Sequence, residues 1–321
     1  MENSTLTAVP GLIVGHAQDH VARTGCTVII GPFRAAAHVP GFATGTRELD
    51  ALSPTHLAPA VDAILLTGGS AFGLAAATGV VRWLEQRGRG FETPAGRVPI
   101  VPAAVIFDLA VGDPARRPDA EMGFAACEAA TADPVREGAV GAGTGATVGK
   151  LLGPERSSPG GLGSWSLHVA GHHVAALAVV NALGDVFSQT GDVLAGARLP
   201  DGQFAHAMHW LRTQDATVPA PQRGHTTLAM VATDAPLSRL DLHALARQSA
   251  NALARRIAPV FTHFDGDVVF AISTAKDTRE LDPGARLQLG AVAQYALEMA
   301  IERAVTTVSG SGSVSPRNES A

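Results

Sequence analysis

A junction between loop and strand near residue 225 constrains this chain more than any other feature. A polar run with two prolines ends at Gly224, two threonines follow at Thr226 and Thr227, and an apolar segment of strand character continues to Asp234. A hydroxyl residue that opens a buried strand after a flexible connector has the position expected of a self-cleaving nucleophile. A surface loop entering a core strand has the same composition, and spacing alone permits either threonine.

The composition predicts a core of small aliphatic side chains. The chain has 321 residues, of which 46% are hydrophobic but only 5% aromatic, and it contains 35 glycines. This length suffices for one large domain or two smaller ones. A net charge of −5, without a basic stripe, argues against nucleic acid or an anionic membrane as the main partner.

The cysteines and the chain ends indicate a cytoplasmic protein. Cys26 and Cys127 lie in no metal-binding or redox motif, so we interpret them as reduced core residues. The N-terminal residues lack the pattern of a signal peptide. The longest apolar run, Val174 to Val180, is too short to span a bilayer. The Gly- and Ser-rich residues 309–321 predict a disordered tail.

Strands and helices are mixed without strict alternation, which favours an α+β layered fold over a doubly wound sheet. An apolar strand at 61–66 precedes a helix at 71–86, whose glycines predict close packing against a neighbour. Ser238 followed by Asp241 predicts a helix N-cap. The turn 265–267, between two apolar segments, predicts a β-hairpin. Further strands are predicted at 11–16, 26–30, 98–107, 167–169, 173–180 and 228–232, and further helices at 118–132, 242–257 and 286–305.

Two motifs resemble known catalytic loops and fail their requirements. Gly149-Lys150 resembles the end of a phosphate loop, but Thr144 replaces its first glycine and Leu151 replaces its Ser or Thr. Ser70 lies between strand and helix like the serine of a nucleophile elbow, but Phe72 replaces the second glycine. We therefore interpret Ser70 as part of a tightly packed turn, with a serine hydrolase as the minor alternative.

Metal-binding patterns do not arise. The His172-His173 pair has no third ligand nearby, no H-E-x-x-H motif occurs, and the remaining histidines are scattered. We therefore expect neither a metal nor an organic cofactor. The Asp265-Gly266-Asp267 pattern by itself indicates no more than a turn.

Seven segments, taken in order, resemble one family: the DmpA-type L-aminopeptidase/D-esterases, which include β-peptidyl aminopeptidases and nylon-oligomer endohydrolases. The resemblance extends from about Gly11 to Val305. It rests on Gly11–His16, Leu66–Ala77, Pro99–Asp108, Gly141–Lys150, Val179–Ala182, His225–Ala235 and Asp265–Thr274.

The resemblance implies a fold and a processing event. It implies a four-layer αββα sandwich in one domain of residues 1–308, similar to ornithine acetyltransferases and, with different connectivity, to N-terminal-nucleophile hydrolases. It also implies self-cleavage into an α chain of residues 1–225 and a β chain of residues 226–321. The two chains are expected to remain together and to form a homo-oligomer, commonly a tetramer.

Carried over residue by residue, the resemblance assigns the nucleophile to Thr226 and the cleaved bond to His225–Thr226. The oxyanion asparagine falls on Asn181, and the lysine that ends the glycine-rich segment is Lys150. The acid pair of the nylon-oligomer branch falls on Asp265 and Asp267. Several members have Tyr where this chain has Phe107, so any hydroxyl contribution there must come from another group.

The implied chemistry suits these residue types. A threonine hydroxyl needs a base before it attacks. After cleavage, Thr226 would carry a free α-amine with an unperturbed pKa of about 7.7–8.0, which can accept the hydroxyl proton. Asn181 would donate to the oxyanion, and Lys150 would tune the amine. Asp265 and Asp267 would orient the ammonium or bind a substrate amine.

The expected function is therefore that of a self-processing aminopeptidase or amidase that hydrolyses small peptides, amides or esters through a threonine acyl-enzyme. Two alternatives stay open. The first is an acyltransferase of the same fold, and the second is an uncleaved small-molecule binder, for which Phe107 is the only support. The sequence does not select a substrate among L-amino-acid amides, β-peptides, D-amino-acid esters and amide oligomers.

Overall fold

A computed structural model describes residues 3–213 and 224–310. The α-helices are α1 (Ala76–Glu85), α2 (Ala120–Glu128), α3 (Ala207–Thr213), α4 (Arg239–Ser249), α5 (Asn251–Arg256) and α6 (Pro283–Gly310). The strands are β1 (Ile13–Asp19), β2 (Thr24–His38), β3 (Thr46–Arg47), β4 (Val61–Thr67), β5 (Phe91–Thr93), β6 (Gly96–Val98), β7 (Ala103–Val105), β8 (Thr147–Val148), β9 (Ser158–Pro159), β10 (Gly161–Val169), β11 (His172–Asn181), β12 (Asp185–Phe187), β13 (Val193–Ala195), β14 (Thr226–Thr233), β15 (Ile257–Ala258) and β16 (Val268–Ser273).

The architecture is a mixed α/β fold built on one large mixed sheet. The strand order is β10-β11-β14-β16-β2-β4-β7-β3, with β1 paired to β2. Strand β2 belongs to both halves of this sheet, because residues 34–38 pair with β16 and residues 24–30 pair with β1 and β4. Its register shifts between Ile30 and Phe33, where Pro32 lacks the N–H that a regular ladder requires.

The side chains of alternate residues in the central strands pack in different hydrophobic clusters. In β14, Ala229 and Val231 pack in a cluster with α4, α5 and α6, whereas Leu228 and Met230 belong to a second cluster with residues of both sheet halves. A third cluster joins β2 and β4 to α1 and α2. Side chains on successive strand residues point to opposite faces, so a continuous apolar run is buried on both sides, as the sequence of β14 requires.

Close helix packing explains the glycines of the first half. A Cβ on Gly79 of α1 would lie 1.7 Å from the carbonyl oxygen of Ala120, at the start of α2. The predicted close packing of this helix is therefore confirmed, although residues 70–75 form a 3-10 helix before α1 begins. The N-cap predicted at Ser238 is also confirmed, and it extends to a capping box, because the Ser238 side chain accepts from Asp241 N and the Asp241 carboxylate accepts from Ser238 N.

The predicted hairpin at the 265–267 turn is wrong. Residues 261–264 form no strand, and β16 pairs in parallel with β14 rather than with a preceding neighbour. The apolar character of both flanks suggested a hairpin, but the first flank is a loop. Its last residues are held instead by the strand-like bridge between His225 and Asp265.

The other predicted elements are present, but several of their bounds differ. Strand β2 continues to His38 rather than ending at 30, β10 begins at Gly161 rather than at 167, and the helix predicted at 242–257 is divided into α4 and α5. Helix α6 begins earlier and ends later than predicted, at Pro283 and Gly310. Most of the predicted tail, residues 311–321, lies outside the described residues, as do residues 214–223 before the junction. Within the described ranges, no helix combines the length and apolarity needed to cross a membrane.

Candidate active site

The candidate nucleophile lies at one edge of the sheet, where the start of one buried strand pairs with the end of its antiparallel neighbour. Thr226 is the first residue of β14 and pairs with Asn181, the last residue of β11. Both are buried, with exposed fractions of 4% and 0%. The antiparallel register places a hydroxyl beside an amide at the point where both apolar runs stop, so the polar ends of the strands form a common edge.

The peptide before Thr226 is held from two sides. The Thr226 hydroxyl donates to the carbonyl oxygen of His225 at 2.7 Å, and the N–H of Gly266 donates to the same oxygen at 2.7 Å. The N–H of His225 donates to the carbonyl of Phe264 at 3.3 Å. The His225–Thr226 bond therefore has a fixed carbonyl whose oxygen already accepts two hydrogen bonds.

Gly224 adopts the backbone conformation that leads the chain into the His225–Thr226 peptide. Its φ of +111° lies in a region that only glycine adopts readily. A Cβ at this position would lie 2.3 Å from the ring of Phe107, so the ring of Phe107 packs directly on the backbone before the junction. The Phe107 ring thus lies against the backbone that leads into the His225–Thr226 bond.

Lys150 and Asn181 form one hydrogen-bonded unit. The Lys150 ammonium donates to the side-chain oxygen of Asn181 at 2.6 Å and to its carbonyl oxygen at 3.0 Å. The amide nitrogen of Asn181 donates to the carbonyl of Phe107 at 3.1 Å, and its side-chain oxygen also accepts from Thr147 N. This network fixes the orientation of the amide.

Lys150 has an unusual protonation equilibrium. Burial lowers its pKa to about 7, while the nearby carboxylates of Asp265 and Asp108 act in the opposite direction. Desolvation disfavours the charged ammonium more than these carboxylates stabilise it. Lys150 is consequently poised to exchange a proton near neutral pH, which is the property required of a general acid or base.

The two aspartates lie on either side of Gly266 and differ in their bonding. Asp265 accepts from Thr262 N at 2.7 Å, and burial raises its pKa. Asp267 accepts from Thr227 N at 2.6 Å through one oxygen, while within the described residues its other oxygen has no hydrogen-bond partner. Burial, reinforced by the charge of Asp265, raises the pKa of Asp267 to about 8, so this carboxyl is mostly neutral at pH 7.

Asp108 is a buried carboxylate that our sequence reasoning did not select. Its oxygens accept from Gly69 N and from the Thr24 hydroxyl, both at 2.7 Å. Burial raises its pKa, and the hydrogen bonds from Gly69 and Thr24, followed by the charge of Lys150, partly offset the increase. Its position directly after Phe107, at the end of an apolar segment, was the available signal.

Ser70 lies apart from this arrangement. It begins a 3-10 helix with a φ of +53°, and its N–H donates to the carbonyl of Ile106. In the described ranges it makes none of the hydrogen bonds that join Lys150, Asn181 and Thr226. The interpretation of Ser70 as a residue of a tight turn agrees with this geometry.

Comparisons with known proteins identify the family to which a chain with this arrangement belongs. The profile described as Peptidase family S58 matches residues 4–313. The chain belongs to this peptidase family. It is accordingly a hydrolase that acts on peptide or amide bonds.

Two relatives show the range within the family. An uncharacterised aminopeptidase of Mycobacterium leprae is 40% identical over 297 residues, which cover 84% of this chain and 78% of that protein. A 6-aminohexanoate-oligomer endohydrolase of Kocuria sp. is 31% identical over 301 residues, which cover 90% of this chain and 81% of the relative. The resemblance found in the sequence is confirmed.

Solved structures share the fold at lower identity. The β-aminopeptidase of a Burkholderia species has a TM-score of 0.70 and 23% identity, covering 95% of this chain and 86% of its own. The L-aminopeptidase D-Ala-esterase/amidase of Ochrobactrum anthropi, described as a variant of the Ntn hydrolase fold, has a TM-score of 0.72 and 19% identity, covering 94% and 85%.

Proposed function

We propose that this chain is a self-processing hydrolase in which Thr226 becomes an N-terminal nucleophile and removes N-terminal residues from small peptides, amides or esters. One observation carries the proposal: the Thr226 hydroxyl lies 2.7 Å from the carbonyl oxygen of His225. In the same place, residue Thr226 pairs across the sheet with Asn181, whose side-chain oxygen accepts a hydrogen bond from Lys150. The nucleophile, its target carbonyl and a proton-exchanging amine thus belong to one buried cluster.

Self-cleavage would proceed by an N-to-O acyl shift. Thr226 Oγ1 attacks the carbonyl carbon of His225, the C–N bond breaks, and the hydroxyl proton is delivered to the departing nitrogen of Thr226. The product is an ester between His225 and Thr226. Water then adds to the ester carbonyl and returns a proton to Oγ1, which leaves a carboxylate on His225 and a free amine on Thr226.

The free α-amine would act as the base in turnover, because its unperturbed pKa of about 7.7–8.0 lies near neutrality. Asp267, which already accepts from the N–H of Thr227, would accept a hydrogen bond from the new amine. Lys150 exchanges protons in the same pH range. One N–H of the Asn181 amide is used by Phe107, and we assign the other to the substrate oxyanion.

The test is the chemistry of the purified chain. Denaturing electrophoresis with N-terminal sequencing is expected to show a fragment that begins Thr226-Thr227-Leu228. Thr226→Ala is expected to stay intact and inactive, whereas the matched control Thr227→Ala is expected to be cleaved and active. Cleavage that survives in Thr226→Ala, or a wild-type chain that stays intact after long incubation, would overturn the proposal.

The substrate class is tested by a panel. Aminoacyl p-nitroanilides, β-homo-amino-acid amides, D-amino-acid esters and 6-aminohexanoate oligomers span the activities for which the relatives and the structural neighbours are named. Hydrolysis of at least one amide or ester is expected. Transfer to an added acceptor amine in preference to water would instead identify an acyltransferase.

The proposal also covers the layer order of the fold and the assembly of the cleaved chains. We infer that the three core clusters separate four layers in αββα order. We also infer that the cleaved chains stay associated as a cytoplasmic homo-oligomer. Light scattering after size exclusion, with denaturing analysis of the same peak, is expected to show both chains in one assembly larger than 32.8 kDa.

A further inference from the structure

Gly266 lies between the two aspartates and directly against the junction peptide. Its N–H donates to the carbonyl oxygen of His225 at 2.7 Å. This contact belongs to a parallel bridge in which the N–H of His225 donates to the carbonyl of Phe264. The donor is therefore held by backbone on both sides of the bond that would be cleaved.

The space around Gly266 is equally restricted. A Cβ at this position would lie 2.6 Å from the carbonyl oxygen of Ala43 and 2.8 Å from Thr226 Oγ1. The turn itself is fixed, because the N–H groups of Phe42 and Ala43 both donate to the carbonyl of Asp265, at 2.8 and 2.9 Å. Any side chain at position 266 would displace either this clamp or the nucleophilic oxygen.

We propose that the backbone N–H of Gly266 is the oxyanion donor of the self-cleavage step, and that its missing side chain leaves room for Thr226 Oγ1. This inference rests on the proposed function. When Oγ1 attacks the His225 carbonyl carbon, the π electrons move onto the oxygen that Gly266 already contacts. A donor in place before the reaction stabilises this charge without reorganisation.

The role is distinct from that of Asn181. The Asn181 amide is oriented by Lys150, Thr147 and Phe107, whereas Gly266 is oriented by the 41–43 segment and by His225. The first self-cleavage therefore uses a backbone donor on the β16 side of Thr226. Substrate turnover uses a side-chain donor on the β11 side.

The decisive experiment removes the N–H without adding atoms. Semisynthesis that places glycolic acid at position 266 of the full chain converts this amide into an ester. The rate of appearance of the fragment beginning at Thr226, identified by mass, is expected to fall by about 10²–10³-fold, as for loss of one oxyanion donor. Urea unfolding of the intact chain checks that the variant is folded.

A matched control makes the same change at Gly138, whose N–H donates to the carbonyl of Leu162 at 2.7 Å outside the site. This variant is expected to be cleaved at the wild-type rate. A position-266 ester cleaved at the wild-type rate, or equal slowing in both esters, would overturn the inference alone. A wild-type chain that is never cleaved would overturn the proposed function and this inference together.

Discussion

Two clusters of buried ionisable groups in this molecule differ in whether their members are paired with opposite charges. Where α5 meets α6, Arg256 and Glu298 are 5% and 3% exposed and paired at 2.7 Å, and Arg255 contacts the second oxygen of Glu298 at 2.8 Å. At the candidate active site, the strongest partner of Lys150 is the neutral amide oxygen of Asn181, and one oxygen of Asp267 has no partner in the described part of the chain.

The difference teaches how the site obtains its reactivity. A buried charge is tolerated only when a partner offsets part of the cost of its desolvation. A buried group without an adequate counter-charge adjusts its pKa instead. The pKa of Lys150 is lowered to about 7 and that of Asp267 is raised to about 8. The paired cluster thus holds helices together, while the other is prepared to exchange protons.

The largest effect is expected at Lys150. Lys150→Met removes the proton-exchanging amine and is expected to slow self-cleavage and hydrolysis by about 10²–10⁴-fold. In wild type, the neutral amine becomes more abundant as pH rises through about 7, so a base role predicts a rate that increases over this range. Rates of fragment appearance between pH 5 and pH 9 measure the slowing of self-cleavage in the variant and the pH dependence of self-cleavage in wild type.

The matched control is Lys150→Arg, which keeps the positive charge but not the ability to lose it. We expect this variant to be as slow as Lys150→Met and to lose the wild-type pH dependence. Full activity in Lys150→Arg would mean that charge, and not proton exchange, is the contribution of this residue.

The next effect concerns Asp267 and stability. Because the folded-state pKa is raised to about 8 from 3.8, the folded chain retains a proton that the unfolded chain releases. Its contribution to stability is complete below about pH 4 and is lost as pH rises through about 8. Urea unfolding should therefore show a decline that Asp267→Asn does not share.

Both proteins should carry Thr226→Ala, so that each remains a single chain. The difference in unfolding free energy between Thr226→Ala and Thr226→Ala/Asp267→Asn is expected to change by on the order of 3 kcal/mol between pH 5 and pH 8, in favour of the asparagine variant at high pH. Parallel pH profiles would contradict the assignment of a neutral carboxyl at position 267.

A smaller effect is expected in the paired cluster. Glu298→Gln keeps the shape but removes the charge that faces Arg255 and Arg256, and is expected to lower the free energy of unfolding by about 2 kcal/mol. The rate of self-cleavage of the folded protein should be unchanged, because the ion pairs of Glu298 join α5 to α6 and do not involve the His225–Thr226 peptide. Slower self-cleavage in a fully folded Glu298→Gln variant would show that the two clusters do not have separate roles.

The smallest effect is expected at Phe107. Its ring packs on Gly224 and its carbonyl oxygen, rather than its side chain, holds Asn181. Phe107→Tyr is therefore expected to change the rates of cleavage and hydrolysis by less than about tenfold, or about 1.4 kcal/mol. A gain of several hundredfold in side-by-side assays would show that the missing hydroxyl limits this enzyme.

Local sequence patterns were sufficient for most elements. The apolar run after Thr226, the N-cap at Ser238 and the glycine-bearing helix α1 are determined by neighbours a few residues away, and each was predicted. The hairpin predicted at 265–267 was wrong, because its apolar flanks do not reveal that β16 pairs in parallel with β14. Strand pairing depends on residues far apart in the chain, which local patterns do not encode.

The sequence alone therefore selects the candidate residues of the site: a hydroxyl at the start of a buried strand, an amide at the end of another, a lysine and two carboxylates. Only the tertiary structure decides how these groups are arranged and which of them contact one another. Lys150, Asn181 and Thr226 come together through the register of β11 and β14, and the backbone of Gly266 reaches His225 through a contact 41 residues away. The protonation states follow from desolvation, which exists only once the core has closed around these groups.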